Sequence, residues 1–224
     1  MKRGMQPSAD LFDATRAPGS PSTATMGSGA VALRAFSLGR DATLSAAIDA
    51  VAAAAPFRQM TTPGGFVMSV AMTNCGEAGW ITDRRGYRYS DVDPVSGRHW
   101  PAMPAALRLL AVQAAAVAGY AAFAPDACLI NRYVPGARMT PHQDRNERDV
   151  GAPIVSVSLG LPALFLFGGL TRKAPAQRVV LAHGDVVVWG GATRMAFHGV
   201  ARLADGWHDF AGASRINLTF RKAL

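Results

Sequence analysis

The sequence lacks long apolar segments, closely spaced pairs of cysteines and an excess of acidic residues, and each of these absences argues against a class of protein. Its two cysteines, Cys75 and Cys128, lie far apart and form no CxxC pair, so we expect reduced thiols in or near a core. No apolar run approaches the ~18–20 residues that cross a bilayer, and no apolar segment of a secretory signal follows the first basic residues. We therefore expect a cytoplasmic protein with no membrane partner, and a monomer.

Charge is sparse and mostly of one sign. Charged residues make up 17% of the chain and hydrophobic residues 50%, a balance typical of a globular protein with a substantial core. Lysine and arginine outnumber aspartate and glutamate by 23 to 15, which gives a net charge of +8. That excess favours a polyanionic partner, and nucleic acid is the first candidate. Many basic proteins have no such partner, so charge alone leaves the question open.

The chain divides into a tail and one domain. Residues 1–30 are rich in Ala, Gly, Ser, Thr and Pro, which predicts a disordered tail before a single domain at 31–224. Apolar spacing predicts helices at 41–55, with Asp41 as the N-cap, and at 104–118. After Asp126 the period changes to two, and we predict strands at 128–133, 154–159, 164–167, 178–181, 186–189, 195–198 and 216–220. Helices followed by many short strands indicate an α+β fold with a sandwich or barrel.

His142, Asp144 and His198 form the most informative set. Side chains two residues apart project to the same side of an extended strand, so His142 and Asp144 can grip one metal ion. A distant strand would supply His198. Two histidines and one carboxylate make up the facial triad of non-haem Fe(II) oxygenases, which leaves positions open for a co-substrate and O2.

A second His-x-Asp pair competes with the first. In His183-Gly184-Asp185 the central glycine and the apolar strand that follows indicate a turn, in which Asp185 bonds local backbone amides. We therefore rank this pair below His142 and Asp144. The contexts of His99 and His208 are polar or turn-like, and we expect both to be surface residues.

The segment 215–221 predicts an anion site. Strand alternation places Arg215, Asn217, Thr219 and Arg221 on one face and three apolar side chains on the other. If the apolar face packs into a core, the arginines face an interior and need anions, and a guanidinium pairs well with carboxylates. Asn131 and Tyr133 share one strand face and are candidate donors to the same anion. The alternative is a solvated edge strand with scattered charges.

A stretch between the two helices combines aromatic and basic residues. Its aromatic side chains suit base stacking and its arginines suit phosphate contacts. The alternative is a basic surface hairpin whose aromatics belong to the core. The residues are Trp80, Arg84, Arg85, Tyr87, Arg88 and Tyr89.

From about Val31 onward the chain resembles the AlkB family of Fe(II)/2-oxoglutarate dioxygenases, and its bacterial members in particular. The matching motifs are PFRQM at 56–60, TPGG at 62–65, SVAMTNCG at 69–76, LINRY at 129–133, PIVSVSLGLP at 153–162, HGDVVVWGG at 183–191 and NLTFR at 217–221. The resemblance implies a double-stranded β-helix (jelly-roll) core at about 126–224. It also implies N-terminal helices and a nucleotide-recognition lid at about 56–100.

The same resemblance implies a set of ligands. It implies Fe(II) on His142, Asp144 and His198, with O2 as the oxidant. It implies 2-oxoglutarate on Asn131, Tyr133, Arg215, Asn217 and Arg221. It also implies contacts to an alkylated base from Trp80, Tyr87, Arg172 and the residue at 146.

Two positions depart from the family pattern. Asn146 stands where the bacterial members have Asp, and an amide accepts a hydrogen bond without negative charge. Glu147 is a neighbour that could compensate in part. Phe66 replaces a Tyr in the lid segment.

The sequence predicts a DNA repair enzyme that oxidatively removes N-alkyl groups of the 1-methyladenine and 3-methylcytosine type. A ring-nitrogen alkyl group is buried in a duplex, so the substrate must be single-stranded DNA or a flipped base. Two alternatives remain open. One is the same chemistry on RNA or another substrate, and the other is a non-catalytic nucleic-acid-binding relative.

Overall fold

The period-two pattern of the second half of the chain produces strands, and the first half contributes more of them than its sequence indicates. The computed structural model describes residues 21–224, which form two helices, fourteen strands and one 3-10 turn. The helices are α1 (Asp41–Ala54) and α2 (Ala105–Val117). The strands are β1 (Ser22–Gly27), β2 (Ala30–Arg34), β3 (Arg58–Thr61), β4 (Val67–Gly76), β5 (Gly79–Asp83), β6 (Gly86–Ser90), β7 (Ala127–Tyr133), β8 (Met139–His142), β9 (Ile154–Gly160), β10 (Ala163–Phe167), β11 (Gln177–Leu181), β12 (Val186–Trp189), β13 (His198–Val200) and β14 (Arg215–Arg221).

Two antiparallel sheets form the core, and a separate hairpin stands beside them. The larger sheet has eight strands in the order β1-β2-β12-β9-β14-β7-β4-β3. The smaller sheet has four in the order β11-β10-β13-β8, and β5 pairs with β6. This arrangement confirms the α+β prediction and a core rich in antiparallel sheet, consistent with a jelly roll.

The two faces of the larger sheet have different neighbours. One face packs on the helices through a cluster that includes Leu44, Leu107 and Leu218. The other faces the interior between the sheets, where Phe165, Phe167 and related residues form a second cluster. Since β14 lies between β9 and β7, all seven of its residues are buried and the edge-strand alternative is wrong.

The helices lie close to their predicted bounds. Leu44, Ile48 and Val51 are buried along one face of α1, as their spacing predicts. The N-cap of α1 is Arg40 rather than Asp41, and it makes no side-chain capping hydrogen bond. No helix among residues 21–224 is long and apolar enough to cross a membrane.

The predicted tail is wrong where the structure describes it. Residues 1–20 lie outside the described part, but β1 and β2 occupy most of 22–34 and pair antiparallel. β2 also pairs with β12, so it is fully integrated in the larger sheet. Small residues such as Ala30 and Ala32 are completely buried there, because a strand with both neighbours in place satisfies its backbone without large apolar side chains.

Two further predictions are wrong in detail. Strands β3 and β4 lie between the helices and join the larger sheet, so the helices do not precede all strands. The predicted strand at 195–198 is largely a turn: Ala196 donates its backbone N–H to Thr193 O, and β13 begins only at His198. Arg194 lies in this turn, is buried, and donates to Asp144 O and to Glu147.

Both cysteines are buried free thiols, as expected. Cys75 on β4 lies directly opposite Cys128 on β7, within the cluster on the helix side of the larger sheet. They therefore serve as small apolar core residues.

Candidate metal centre and the pockets beside it

The smaller sheet brings the three candidate iron ligands together. His142 ends β8 and lies opposite His198, the first residue of β13, while Asp144 follows just after β8. The Nε2 atom of His142 is 3.6 Å from Asp144 Oδ1, and that of His198 is 3.7 Å from Asp144 Oδ2. One candidate ligand atom from each residue lies within 4.8 Å of the others, a spacing that one metal ion can bridge.

The backbone fixes the orientation of both imidazoles. The Nδ1 atom of His142 is 2.9 Å from Thr140 O, and that of His198 is 3.0 Å from Ala196 O. A carbonyl oxygen only accepts, so each Nδ1 carries the proton and each Nε2 keeps its lone pair for a metal. Burial, followed by the nearby His142, lowers the pKa of His198 to about 4. His198 is therefore neutral at pH 7, which is the form that binds a metal.

Arg221 keeps the carboxylate of Asp144 ionised. Burial disfavours its charge, but the guanidinium of Arg221, 2.7 Å from Oδ2, outweighs that effect and holds the pKa of Asp144 well below its usual value. Arg221 Nε also donates to the same oxygen at 2.8 Å. The other carboxylate oxygen of Asp144, Oδ1, faces His142 and remains available as a ligand for an iron ion.

Glu147 anchors a buried network behind the metal centre. Its side chain is 1% exposed, and its oxygens lie 3.1 Å from Arg194 and 3.4 Å from Arg221. The hydroxyl of Tyr89 donates to it at 2.6 Å. Arg194 also donates to the backbone oxygen of Asp144 at 2.7 Å. Sequence reasoning did not place Arg194 and Tyr89 in this network, because the segments that carry Tyr89, Glu147 and Arg194 are far apart in the chain.

The inner pocket lies beside the metal centre on the interior face of the larger sheet. It is lined by Asn131, Tyr133, Ser156, Trp189, Arg215, Asn217, Arg221 and the two histidines, among others. The predicted face of β14 is therefore confirmed as facing an interior. All of the residues predicted to hold 2-oxoglutarate lie around this one pocket.

Arg215 is the clearest mark of an anion site in the inner pocket. It is 1% exposed, and its Nη2 donates to Ser158 Oγ at 2.9 Å. Its Nε and Nη1 atoms have no hydrogen-bond partner among the described residues, and no carboxylate pairs with it there. Such a buried cation is costly unless an anion binds it, so a carboxylate of a small molecule fits these two donors.

The amides and the phenol around Arg215 are held in place by one another. Asn217 donates to Ser156 Oγ at 2.8 Å and accepts from Thr219 and from Asn131. The ring of Tyr133 lies under the Arg215 guanidinium, 5.1 Å from it. Burial raises the pKa of Tyr133, so its hydroxyl stays protonated and available as a donor.

Trp189 is a donor that sequence reasoning missed. It is 1% exposed, its ring lies 4.9 Å from that of His198, and its Nε1 has no acceptor within residues 21–224. The only sequence indication is a tryptophan at the end of an apolar strand, and that pattern is more typical of core packing. A buried indole N–H without a partner beside an anion pocket points to a ligand or a water molecule as its acceptor.

The outer cavity opens on the other side of His142. Its volume is about 380 Å³, and it is lined by Trp80, Tyr87, His142, Asn146, Arg172, Phe197 and a set of methionines and other residues. Trp80 and Tyr87 stack with their ring centroids 5.7 Å apart. Arg172 donates to Pro141 O at 2.7 Å and lies over Phe197. The four predicted base contacts thus share one cavity next to the candidate metal ligands.

The hairpin β5–β6 that carries Trp80 and Tyr87 is tied to the core by several hydrogen bonds. Asn74 on β4 is buried, and its amide exchanges hydrogen bonds with the backbone N–H and carbonyl of Trp80. Tyr89 links β6 to Glu147. The arginines of the hairpin differ from the predicted pattern, since Arg88 is engaged by Asp83 and only partly available for phosphate contacts.

The second His-x-Asp pair is structural, as predicted. Asp185 accepts from the backbone N–H groups of Ala182 and Ala35. His183 accepts from Gly160 N, so its Nε2 carries the proton and faces Asp41 at 3.2 Å. His99 is exposed as expected, whereas His208 is half-buried and stacks on His183 with 4.5 Å between ring centroids.

Comparison with known proteins identifies the family of the chain. The model of the 2OG-Fe(II) oxygenase superfamily matches residues 29–221. The chain is 54% identical over 214 residues to the alpha-ketoglutarate-dependent dioxygenase AlkB of Escherichia coli strain K12, covering 96% of this chain and 97% of that protein. The chain belongs to the AlkB family. The prediction of an oxygenase that uses Fe(II), 2-oxoglutarate and O2 is thereby confirmed.

Other relatives extend the comparison. The AlkB protein of Salmonella typhimurium is 56% identical over 195 residues, which is 87% of this chain and 90% of that protein. Among solved structures, OsALKBH1 superposes with a TM-score of 0.79 at 26% identity, over 90% of this chain and all of that one. The antiparallel core is therefore shared with an AlkB-type structure.

Proposed function

We propose that the protein is a DNA repair dioxygenase that oxidatively removes N-alkyl groups from nucleic-acid bases. One observation carries this proposal: His142, a candidate iron ligand, lies at the boundary between the inner pocket and the outer cavity. An anion bound at Arg215 and a base bound against Trp80 would therefore meet at the same metal centre. The names of the bacterial relatives support the reaction class.

In this proposal the inner pocket holds the co-substrate. Arg215 binds one carboxylate through its two unpaired N–H donors, and Asn131, Tyr133, Asn217 and Arg221 complete the lining. His142, Asp144 and His198 hold Fe(II). When bound, Fe(II), 2-oxoglutarate and O2 supply an oxidant that hydroxylates the N-alkyl carbon, with release of succinate, CO2 and, from a methyl group, formaldehyde. The burial of the pocket excludes water from this chemistry.

The outer cavity orients the alkylated base. Trp80 and Tyr87 offer aromatic surfaces on which a base can stack, an interaction worth about 1–3 kcal/mol per base. Asn146 and Arg172 provide polar contacts to its edge or its backbone. The segment of about 56–100 acts as the nucleotide-recognition lid in this proposal, because Trp80 and Tyr87 on its hairpin line the outer cavity together with His142 and Asp144. A base reaches this cavity only from single-stranded DNA or after flipping.

The proposal is tested by incubating the protein with Fe(II), 2-oxoglutarate and oligonucleotides that contain 1-methyladenine or 3-methylcytosine. We expect demethylation with equal amounts of succinate and formaldehyde. His142→Ala should abolish the reaction and lower the iron content, because it removes a ligand. His99→Ala, at an exposed histidine, is the matched control and should retain both. A metallated protein that converts neither oligonucleotide would refute the proposal.

RNA is a second candidate substrate. The predicted substrate contacts are to the base. A related protein from Homo sapiens, 34% identical over 125 residues, is named a nucleic acid dioxygenase. Competition between DNA and RNA oligonucleotides of one sequence, each with a single 3-methylcytosine, measures the preference directly.

A further inference from the structure

The loop that carries Asp144 is not held by a sheet. Strand β8 ends at His142 and β9 begins at Ile154, and residues 143–153 between them contain neither strand nor helix. His142 and His198 lie on paired strands, but Asp144 has no ladder of backbone hydrogen bonds to fix it. A metal centre needs ligand atoms at fixed distances from one another, so other contacts must hold this loop in place.

Arg194 binds this loop at three separate points. Its Nη1 donates to the backbone oxygen of Asp144 at 2.7 Å, and its Nε donates to the backbone oxygen of Ala152 at 2.9 Å. Its Nη2 donates to the carboxylate of Glu147 at 3.1 Å. All three nitrogens of one planar guanidinium are therefore bound to a single loop, near both of its ends.

The turn that carries Arg194 leads directly into His198. The backbone oxygen of Ala196 in this turn lies 3.0 Å from the Nδ1 atom of His198 and orients its ring. The backbone oxygen of Met195 accepts from Nε2 of Gln143, the first residue of the loop, at 2.7 Å. The turn therefore connects the loop of one candidate ligand with the strand of another, although the two are far apart in the sequence.

Stability alone does not account for the ion pair of Arg194 and Glu147. Their side chains are only 3% and 1% exposed. Taking two charges out of water is unfavourable, and well-packed apolar side chains of similar volume often give equal or greater stability. A buried pair of this kind is suited to a place where one defined geometry is required. The metal ligand that Arg194 contacts through its backbone supplies that requirement.

We propose that Arg194 is a positioning residue of the metal centre: it ties the loop of Asp144 to the turn before His198 and so holds these two ligands at the spacing that one metal ion needs. Arg194 lines neither the inner pocket nor the outer cavity, so it acts through Asp144 and not on a substrate. This inference rests on the metal centre of the proposed function.

The experiment measures the affinity for Mn(II), from the EPR signal of the free ion, in the natural chain and in two variants of unchanged net charge. Arg194→Lys keeps the positive charge but cannot donate in three fixed directions. The double variant Arg194→Met with Glu147→Met removes the whole ion pair, and Arg221 still pairs with Asp144. We expect both variants to bind Mn(II) about 10- to 100-fold more weakly, as is typical when a group that orients a metal ligand is lost.

Thermal unfolding of the metal-free proteins separates positioning from stability. If Arg194 served stability alone, Arg194→Lys would unfold at a lower temperature, while its folded form would bind Mn(II) as tightly as the natural chain. Arg108→Lys is the matched control, because Arg108 is an exposed arginine of α2 that also donates to a backbone oxygen, that of Pro125, at 2.9 Å. We expect this control to retain the Mn(II) affinity of the natural chain.

The outcomes distinguish this inference from the proposed function. If the natural chain binds no Mn(II), or if His142→Ala binds it equally well, the metal centre of the proposed function fails. If the natural chain binds Mn(II) through His142 and either folded variant of Arg194 binds it with unchanged affinity, the proposed function stands and the positioning role of Arg194 is refuted. The double variant decides the question if Arg194→Lys does not fold, since it leaves no buried charge unpaired.

Discussion

The inner pocket and the outer cavity share one metal centre but are built from different parts of the fold. Strands β7, β9, β12 and β14 supply the polar wall of the inner pocket, and each has a neighbour on both sides in the larger sheet, while β8, β10 and β13 of the smaller sheet close the pocket opposite them. A two-stranded hairpin, loops and the edge strand β8 form most of the outer cavity, and several of its side chains are exposed. In the proposed function, the larger sheet binds the co-substrate, the smaller sheet carries the two histidines of the metal centre, and the hairpin and loops select the base.

The difference also appears in how the polar groups are satisfied. In the inner pocket most polar side chains have a partner, and the buried atoms without one among the described residues belong to Arg215, Trp189 and Asn131. In the outer cavity, Asn146 and Arg172 are exposed and make few contacts. Changes to the inner pocket should therefore alter co-substrate binding and every reaction, while changes to the outer cavity should alter base selection and leave co-substrate binding intact.

The largest expected effect comes from Arg215→Met. Loss of a buried charged partner costs about 2–5 kcal/mol of binding free energy, so 2-oxoglutarate affinity should fall at least ~30-fold. Without 2-oxoglutarate the variant should unfold at an equal or higher temperature than the natural chain, because an unpaired buried charge has been replaced by an apolar group. Thermal unfolding with and without 2-oxoglutarate, in the presence of Mn(II), measures both effects.

Arg178→Met, at an exposed arginine on β11, is the control and should retain stabilisation by 2-oxoglutarate. A marked loss of stability in the Arg215 variant without ligand would show that Arg215 is a structural residue with a partner inside the protein.

An intermediate effect is expected from Trp80→Ala. Loss of a stacking surface worth about 1–3 kcal/mol should weaken binding of a methylated oligonucleotide by roughly 5- to 150-fold. The affinity for 2-oxoglutarate should be unchanged, since Trp80 does not line the inner pocket. Fluorescence anisotropy of a labelled oligonucleotide, beside a titration with 2-oxoglutarate, tests the separation. Equal losses in both titrations would show that the two regions are not independent.

The smallest effect is expected from Trp189→Phe. Removing one hydrogen-bond donor of about 0.5–1.5 kcal/mol should weaken 2-oxoglutarate binding by roughly 2- to 10-fold and leave oligonucleotide binding unchanged. Trp100→Phe is the matched control, because the Nε1 of Trp100 already donates to Ser90 O on the hairpin. An unchanged affinity in the Trp189 variant would mean that its indole N–H bonds to water rather than to the co-substrate.

The inner pocket was more predictable from sequence than the outer cavity. Alternation along β14 alone predicted that Arg215 and Asn217 face one side and that Ile216 and Leu218 face the other, and the structure confirms both faces. Strand periodicity is a local property, so it survives folding. The two-residue spacing of His142 and Asp144 is shared by His183 and Asp185, so the choice of the first pair also required His198 and the arginine strand, and the structure brings His142, Asp144 and His198 together.

What the sequence did not predict depends on contacts between distant segments. Glu147 forms an ion pair with Arg194, which lies in the turn that replaces most of the predicted strand at 195–198. Neither residue lies in a sequence pattern that identifies its partner. Strand β1 consists mostly of small residues and is stabilised by pairing with β2, which its composition does not reveal.

The most direct test of this account is the stoichiometry of succinate and formaldehyde for Trp80→Ala and Arg215→Met, measured with an oligonucleotide that contains 3-methylcytosine. The natural chain should release one of each per repaired base. Trp80→Ala should still form succinate while formaldehyde falls, because the inner pocket is intact and the base is poorly held, whereas Arg215→Met should lose both together. If Trp80→Ala abolishes succinate formation as completely as Arg215→Met does, the inner pocket and the outer cavity do not have separate roles, and the central claim is contradicted.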